Sequence, residues 1–355
     1  MAARSSSTPL QRAIAQVAPG QALRDGLDRV VRGGMGALIV IGDGPEVLNL
    51  CSGGFLLDAA FSPQRLFELA KMDGAVILAS DASRIARANV HLVPDASVPT
   101  SETGTRHRTA ERVARSLGVT VLSVSERMAT IAVYVGDAKH ALTPIPRLVS
   151  RADQALEALE RYKVRLDAVS SALSALEVED LVTVRDVAGV LQRGEMVVRI
   201  ADEVDGYLLE LGVEGRMIHL QLEELLRGVD DERRLVLRDY HQELQGIEQA
   251  FDRFAACSTD DLLDLRSVAA TVSGTASIDL DDAVSPRGFR LLSRIPRLPD
   301  QVIESIVDRF GALDKIMRAT LNDLDDVDGV GATRARAIKD GLSRLAASSI
   351  MDRYT

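Results

Sequence analysis

The sequence predicts an N-terminal α/β domain with a mixed sheet covered by helices. An all-α spine follows, and then a C-terminal domain of two tandem helix–turn–helix units. Three observations lead to this prediction: short apolar runs alternate with helical stretches up to about residue 147, glycine and proline almost disappear for about forty residues after Pro146, and two compact turns stand about thirty residues apart near the C-terminus. We therefore expect domains at residues 1–147, 148–286 and 287–355.

Buried strands are indicated in the first domain by unbroken apolar runs that are bounded by glycine or turn residues. These runs are Gly36–Gly42, Ala75–Leu78, Val119–Val124 and Ile131–Val135. Helical patterns lie among them, at Ala22–Val31, Pro63–Met72 and Thr109–Leu117. This alternation of strands and helices is typical of a sheet with helices packed against it.

The spine is predicted from a heptad-like apolar stripe within a long charged helix that begins near Leu148. The stripe consists of Leu159, Tyr162, Leu166, Val169, Leu173 and Leu176. Further helices are predicted at Val182–Val204, Leu220–Leu226 and Glu232–Phe254, and a polar, irregular stretch at Ser273–Arg287 ends the region. The stripe is explained by a helix that spaces two domains, by a surface for self-association, or by both.

Composition limits the classes of function. The net charge is −10, so a contact with nucleic acid would have to come from a local positive patch. The 3% aromatic content and the absence of tryptophan argue against a base-stacking platform. Cys51 and Cys257 are too few for a disulfide framework or a zinc cluster, and no apolar run is long enough for a membrane span. We expect a cytoplasmic protein.

A phosphate-binding cluster is indicated at Thr105–Thr109, which reads Thr-Arg-His-Arg-Thr after Gly104. Guanidinium groups bind phosphate oxygens in a bidentate manner, and Thr109 stands where a helix is predicted to begin, so free N–H groups add to the anion site. Taken alone, the cluster is better explained by surface ion pairs of Arg106 and Arg108, with Thr109 as a plain helix cap. Asp73 and Gly74, which precede a buried strand, add a carboxylate for a divalent metal and a backbone that a ligand can approach. Together these residues predict a triphosphate site.

Met72–Ala75 together with Gly104–Arg112 resembles the diadenylate cyclase domain, and the whole chain resembles the bacterial DNA integrity scanning family. The resemblance implies that two ATP molecules condense into cyclic di-AMP with release of two pyrophosphates. Because the product is two-fold symmetric and the chain carries one such site, two subunits must face each other. The family resemblance implies a homo-octamer built from two tetramers.

The resemblance also implies roles for individual residues. Asp73 would bind Mg²⁺ or Mn²⁺ and help deprotonate the attacking hydroxyl, while Arg106, His107 and Arg108 would complete the catalytic group. The implied ATP-binding residues are Gly74, Ala75, Leu92, Gly104, Thr105, Arg106, His107, Arg108, Thr109 and Ser125. An ordinary strand end explains Ser125 and the adjacent Glu126 equally well.

The segment Leu324–Ile338 resembles the helix-hairpin-helix motif, which binds DNA by its backbone. The expected contacts are Gly329, Val330, Gly331, Thr333, Arg334, Arg336 and Lys339. Such contacts recognise the shape of DNA and not its base sequence. Several copies of the hairpin, held apart in an oligomer, would favour branched, junction or damaged DNA. In the first unit, Pro296 and Pro299 replace the preferred glycines, which leaves open whether that unit touches DNA through Arg294 or Arg297.

The leading hypothesis is therefore a diadenylate cyclase coupled to DNA, in the cytoplasm and associated with the nucleoid. One alternative is a non-catalytic scaffold that senses a nucleotide and binds DNA, and another is a cyclase with a different base preference. The C-terminal domain alone is also compatible with a helical protein-contact module. The chain lacks a P-loop lysine motif, which disfavours an ATPase motor.

Overall fold

The computed structural model describes residues 7–241, 246–273 and 279–353. They form two compact units, one from residues up to 154 together with 204–220, and one from residues 155–203 together with those from 221 onwards. The expected domain boundaries at residues 147 and 286 stay a prediction. Within the described residues, no helix has the length and hydrophobicity needed to cross a bilayer.

The first unit contains a mixed sheet of eight strands in the part of the chain that the structure describes. The strands are β1 (Ala37–Ile41), β2 (Cys51–Ser52), β3 (Phe55–Ala60), β4 (Ala75–Leu78), β5 (Arg84–Leu92), β6 (Thr120–Ser125), β7 (Thr130–Val135) and β8 (Ala138–Ala141). Their order is β2-β5-β4-β1-β6-β7-β8, and β3 pairs with β5. Strands β1 and β4 are parallel, whereas β1 and β6 are antiparallel. The predicted mixed sheet is confirmed.

Helices cover both faces of this sheet, as predicted. The helices that precede the spine are α1 (Pro9–Gln16), α2 (Ala22–Arg32), α3 (Pro45–Asn49), α4 (Pro63–Leu69) and α5 (Thr105–Leu117). Strand β1 is buried along its whole length. Ile39 and Ile41 enter the core beneath α2 and α4, while Leu38 and Val40 enter the core beneath α5. Alternate side chains of a strand point to opposite faces, so a strand that is covered on both sides reads as one unbroken apolar run.

The first unit differs from the prediction in its number of elements and in the start of one helix. Strands β2, β3, β5 and β8 and helices α1 and α3 are not expected from the sequence. Strand β5, for example, interleaves Arg84, Arg87 and His91 with apolar residues and has no continuous apolar run. Helix α5 begins at Thr105, one turn before the predicted start at Thr109, since Gly104 is the residue with extended backbone that precedes the first turn. The arginine–histidine cluster therefore lies inside the first turn of the helix.

The remaining chain is helical. Its helices are α6 (Ile145–Glu179), α7 (Val184–Leu211), α8 (Arg216–Leu226), α9 (Val229–Tyr240), α10 (Ile247–Ala256), α11 (Thr259–Leu263), α12 (Leu265–Ser273), α13 (Phe289–Ser293), α14 (Asp300–Phe310), α15 (Leu313–Arg318), α16 (Leu321–Asp325) and α17 (Gly331–Arg353). The predicted stripe of α6 is confirmed as its buried side, with Leu159, Leu166 and Leu173 almost fully covered. The single helix predicted at 232–254 is instead two helices, because the backbone of His241 turns to an extended conformation.

The C-terminal region contains the two predicted helical pairs, α13 with α14 and α16 with α17. One hydrophobic core, which includes Phe289, Ile306, Leu324 and Ile338, joins both pairs. Part of the predicted irregular stretch 273–287 lies outside the described residues. Helix α13 begins soon after that stretch, at Phe289.

A buried polar cluster fixes α13 against α6 and α9. Arg290 is fully buried and forms ion pairs with Glu177 and with Glu232, the latter at 2.7 Å. Its guanidinium also donates to the hydroxyls of Ser170 and Ser174, each at 2.9 Å. The charge of Arg290 is thus neutralised by two carboxylates, which is the condition for burying an arginine.

Candidate active site

Asp73 and Arg106 meet although they lie more than thirty residues apart in the sequence. Asp73 occupies the turn between α4 and β4, and Arg106 lies in the first turn of α5. Arg106 Nη2 lies 3.2 Å from Asp73 Oδ1, and the Asp73 side chain is 96% exposed. A solvent-exposed pair of this kind contributes about 0–1 kcal/mol, so both groups remain available to a ligand.

Two glycines leave room for close contacts around the Asp73–Arg106 pair. A Cβ on Gly36, just before β1, would collide with the guanidinium of Arg106, which lies across that glycine. A Cβ on Gly74 would lie 2.7 Å from the backbone carbon of Asn89. Asn89 has a φ of +53° and sits at the irregularity where β5 pairs with β4. Gly74 is therefore required by the packing of β5 behind the Asp73 turn.

A cleft of about 460 Å³ opens beside the Asp73–Arg106 pair. Of the predicted site residues, it is lined by Asp73, Gly104, Thr105, Arg106, His107 and Ser125. Val124, Glu126 and Arg127 complete its wall. The structure thus brings the turn before β4, the start of α5 and the end of β6 to one place.

Other predicted residues lie away from the cleft wall. The side chains of Ala75 and Leu92 are buried in the hydrophobic core beneath α5. Gly74 lies next to Asp73 but does not line the cleft, and Thr109 is half-buried one turn further along α5. Arg108 is exposed in the first turn of α5, and its guanidinium has no hydrogen-bond partner among the described residues.

His107 is surrounded by charged groups. Burial lowers its pKa, and the positive charges of Lys139 and Arg106 lower it further, while the Glu102 carboxylate opposes them. Because an imidazole has an ordinary pKa near 6.5, His107 is neutral at pH 7. A neutral imidazole has one donor and one acceptor nitrogen, so it can donate to a phosphate oxygen without adding charge.

Glu102 is held in place by the strands behind it. It pairs with Lys139, and Tyr134 Oη donates to Glu102 Oε1 at 2.9 Å. Burial alone would raise the pKa of Glu102, but the hydrogen bonds from Lys139 and Tyr134 outweigh it and lower the pKa. The residue is therefore an anion in the loop that directly precedes α5.

The loop that leads into α5 is anchored by the helix itself. The buried Glu111 carboxylate accepts hydrogen bonds from the hydroxyl of Thr100 and from the N–H of Ser101, the latter at 3.0 Å. Arg112 Nε donates to the carbonyl of Val98 at 3.0 Å. These bonds fix the loop, and with it the position of Gly104 at the start of the helix.

Several residues of this site are not predicted from the sequence, namely Gly36, Asn89, Glu102, Arg127 and Lys139. In the sequence, Gly36 indicates only the boundary of a strand. A signal is present for Glu102 and Arg127, because they lie within two residues of predicted site residues. Asn89 and Lys139 carry no local signal, since their places depend on pairing within the sheet.

The second hairpin exposes part of its predicted contact set. Gly329 and Gly331 have φ angles of +80° and +59°, and Thr333, Arg334 and Arg336 are exposed at the start of α17. The guanidinium of Arg334 also donates to the carbonyl of Gly329.

Two members of that set are engaged within the protein. Lys339 Nζ donates to the carbonyl of Met317 at 2.8 Å. The Val330 side chain is buried, so only its main chain can face a ligand.

Two family models match the chain. The model described as the DisA bacterial checkpoint controller nucleotide-binding domain matches residues 24–139, which include the cleft. The model described as the DisA bacterial checkpoint controller linker region matches residues 142–279.

Curated proteins similar over nearly the whole length carry the name DNA integrity scanning protein DisA. The protein from Kineococcus radiotolerans is 54% identical over 99% of this chain and 99% of its own length. The protein from Frankia alni is 56% identical over 96% of each chain. Among solved structures, DacA from Staphylococcus aureus is 21% identical, with a TM-score of 0.30, over 39% of this chain and 91% of that protein.

Proposed function

Since this chain belongs to the DisA family of DNA integrity scanning proteins and is a diadenylate cyclase, we propose that it condenses two ATP molecules into cyclic di-AMP under the control of DNA. The observation that carries the proposal is the cleft in which Asp73, Arg106 and His107 meet. The Arg106 guanidinium and the N–H groups at the start of α5 can bind the phosphates of a nucleoside triphosphate, and the Asp73 carboxylate can bind its metal ion.

We assign the phosphates to the first turn of α5. Arg106 supplies a guanidinium group in the cleft, and Arg108 offers a second one from the exposed surface of the same turn. The free N–H groups of the helix start add hydrogen-bond donors. His107, neutral at pH 7, donates to a phosphate oxygen. Because the reaction makes and breaks bonds to phosphorus, these residues act by positioning the phosphates and stabilising their charge.

Asp73 is the residue that would hold Mg²⁺ or Mn²⁺. No group of three possible metal ligands occurs among the described residues. A lone exposed carboxylate still fits, since Mg²⁺ is commonly bound by one or two carboxylates together with substrate phosphates and water. The ion would neutralise phosphate charge when bound. Asp73 itself would accept the proton of the attacking 3′-hydroxyl.

One cleft holds one ATP, whereas the product joins two nucleotides symmetrically. We therefore propose that two subunits place their clefts face to face in a homo-oligomer, with an octamer as the assembly that the family implies. The opening of the cleft to solvent, with Asp73 almost fully exposed, is compatible with a second substrate arriving from outside the subunit.

DNA is assigned to the second hairpin, where Gly329, Gly331 and Thr333 present backbone and hydroxyl donors and Arg336 adds charge. These contacts would be to phosphates, which fixes position without reading bases. Binding of branched or damaged DNA would place the protein in the cytoplasm, on the nucleoid.

The first experiment is incubation of the full-length protein with ATP and Mg²⁺ or Mn²⁺, followed by chromatography and mass analysis. We expect cyclic di-AMP, and we expect Asp73→Asn to lower synthesis by at least about a hundredfold because the metal-bound carboxylate is removed. Asp153→Asn, at an exposed position on α6, is the matched control and should keep full activity.

Two results would contradict the proposal. ATP returned unchanged with both metals, from protein that still binds ATP, would favour a nucleotide-sensing scaffold. Full synthesis by Asp73→Asn would remove Asp73 from the site while leaving the cyclase activity in place.

A further inference from the structure

The two hairpins of the C-terminal region have the same turn. In the second, the N–H of Val327 donates to the carbonyl oxygen of Leu324 at 3.2 Å, and the N–H of Val330 donates to the carbonyl oxygen of Val327 at 3.0 Å. The first hairpin repeats this pattern. The N–H of Ile295 donates to the carbonyl oxygen of Leu292 at 3.0 Å, and the N–H of Leu298 donates to the carbonyl oxygen of Ile295 at 3.4 Å. The turns are therefore equivalent residue by residue.

This equivalence places Arg297 where the second hairpin has Gly329. Gly329 has a φ of +80°, and Arg297 adopts a φ of +63° in the same region. Glycine enters this region freely, whereas an arginine there costs stability. The first hairpin thus keeps a side chain at a position where glycine would fit better.

The first hairpin also lacks donors that the second provides. Pro299 stands at the position of Gly331, and proline has no N–H. Asp300, the first residue of α14, places a negative charge next to this position, which would repel a phosphate. If this hairpin is to bind a phosphate, a positively charged side chain must replace the missing backbone donors.

The nearby arginines are not equally available. Arg290 is fully buried among carboxylates, and Arg294 Nη1 donates to Ser174 Oγ at 2.8 Å. Arg297 is exposed, and its guanidinium has no ion pair or hydrogen bond within the part of the chain that the structure describes. Of these three, only Arg297 has a guanidinium free to face a partner.

We propose that Arg297 binds a DNA phosphate, so that the first hairpin contacts DNA through a guanidinium while the second contacts it through backbone N–H groups. The inference rests on the proposed binding of DNA by the C-terminal region. Phosphate binding would explain why an arginine is kept at this strained position of the turn. The two hairpins would then bind DNA phosphates through different chemical groups.

The test measures binding of the full-length protein to a labelled four-way DNA junction over a range of salt concentrations. Arg297→Gly should weaken binding about tenfold, as expected when a charged hydrogen bond is removed. It should also reduce the slope of log K against log salt by about 0.9 for each phosphate that the protein no longer neutralises. Arg297→Lys should keep part of the affinity, because it keeps the charge.

Stability separates this role from a structural one. Glycine accepts the φ of Arg297, so Arg297→Gly should melt no lower than the parent protein. Arg266→Gln, which removes an exposed charge on α12, is the control for net charge and should bind DNA as the parent does. Gly331→Leu is the control for the second hairpin and should weaken binding.

Each failure has a distinct signature. Unchanged affinity and salt slope for Arg297→Gly, with weakened binding by Gly331→Leu, would overturn the assignment of Arg297 and keep DNA binding by the second hairpin. A parent protein that binds neither junction nor duplex at low salt would overturn DNA binding altogether, and this inference with it.

Discussion

Arg106 illustrates how one side chain of the proposed nucleotide site depends on residues distant in sequence. Its guanidinium lies over Gly36 before β1 and reaches Asp73 before β4. A side chain with several rotatable bonds holds one position only where its surroundings exclude the others. Here the bare glycine backbone provides the space, and the Asp73 carboxylate provides the partner.

At this scale we predict that Gly36→Ala weakens ATP binding about tenfold with little change in melting temperature. The new Cβ would collide with the guanidinium, which can swing away because it is the end of a flexible side chain, and Arg106 would then no longer reach the phosphates. Isothermal titration with a non-hydrolysable ATP analogue measures the effect. Gly44→Ala is the matched control, since a Cβ on Gly44 would have no atom within 4 Å. Equal affinities for both variants would show that Arg106 does not bind the phosphates.

Helix α13 is attached by buried charges and hydrogen bonds in addition to the apolar contacts of Phe289, Leu291 and Leu292. Asp239 at the end of α9 accepts the N–H groups of Gly288, Phe289 and Arg290, at 2.7, 2.7 and 2.9 Å. Arg290 then reaches Glu177 on α6, whose pKa burial raises to about 7 against the opposing charge of Arg290. The first hairpin is therefore anchored through its first helix, while its turn remains exposed.

At the scale of elements we predict that Arg290→Met destabilises the second unit by about 3–5 kcal/mol, because Glu177 and Glu232 lose the cation that balances them. The midpoint of urea unfolding, followed by circular dichroism, measures this loss. Adding Glu177→Gln to Arg290→Met should recover part of the stability, since the two residues are coupled. A loss no larger than that of Arg266→Gln would contradict a stabilising role for the cluster.

For the whole molecule, net charge and the proposed assembly set the requirements for the proposed function. A protein with a net charge of −10 is repelled by DNA except where cations are concentrated. The cations of the hairpins are few, and Asp325, Asp326 and Asp328 stand beside the second turn. Several weak contacts presented together by an oligomer would bind far more tightly than one. The proposed assembly would then serve DNA binding as well as catalysis.

At this scale we predict that inactive subunits suppress active ones. If each product needs two facing clefts, subunits of the parent and of Asp73→Asn that are mixed equally and allowed to exchange should retain about one quarter of the activity instead of one half. The rate of cyclic di-AMP formation across a series of mixing ratios measures the dependence. A linear dependence on the fraction of parent subunits would mean that a single cleft completes the reaction.

The sequence by itself determined several local elements of this protein. Strands such as β1 and β4 are predictable because a strand covered on both faces needs an apolar side chain at every position, and such a run is visible in one dimension. The long helix α6 is predictable because its buried stripe recurs every three or four residues. The Asp73 turn and the arginine–histidine cluster are recognised from residue type and from their resemblance to a known domain.

Only the tertiary structure decided which of these residues share one cleft. It separated Ser125, which lines the cleft, from Leu92, which is buried in the core. It also added Glu102 through its bonds to β7 and β8, and it showed Arg297 in the conformation of a glycine. The reason is physical: periodicity and propensity act over neighbouring residues, whereas a site depends on pairing and packing between segments far apart in the chain.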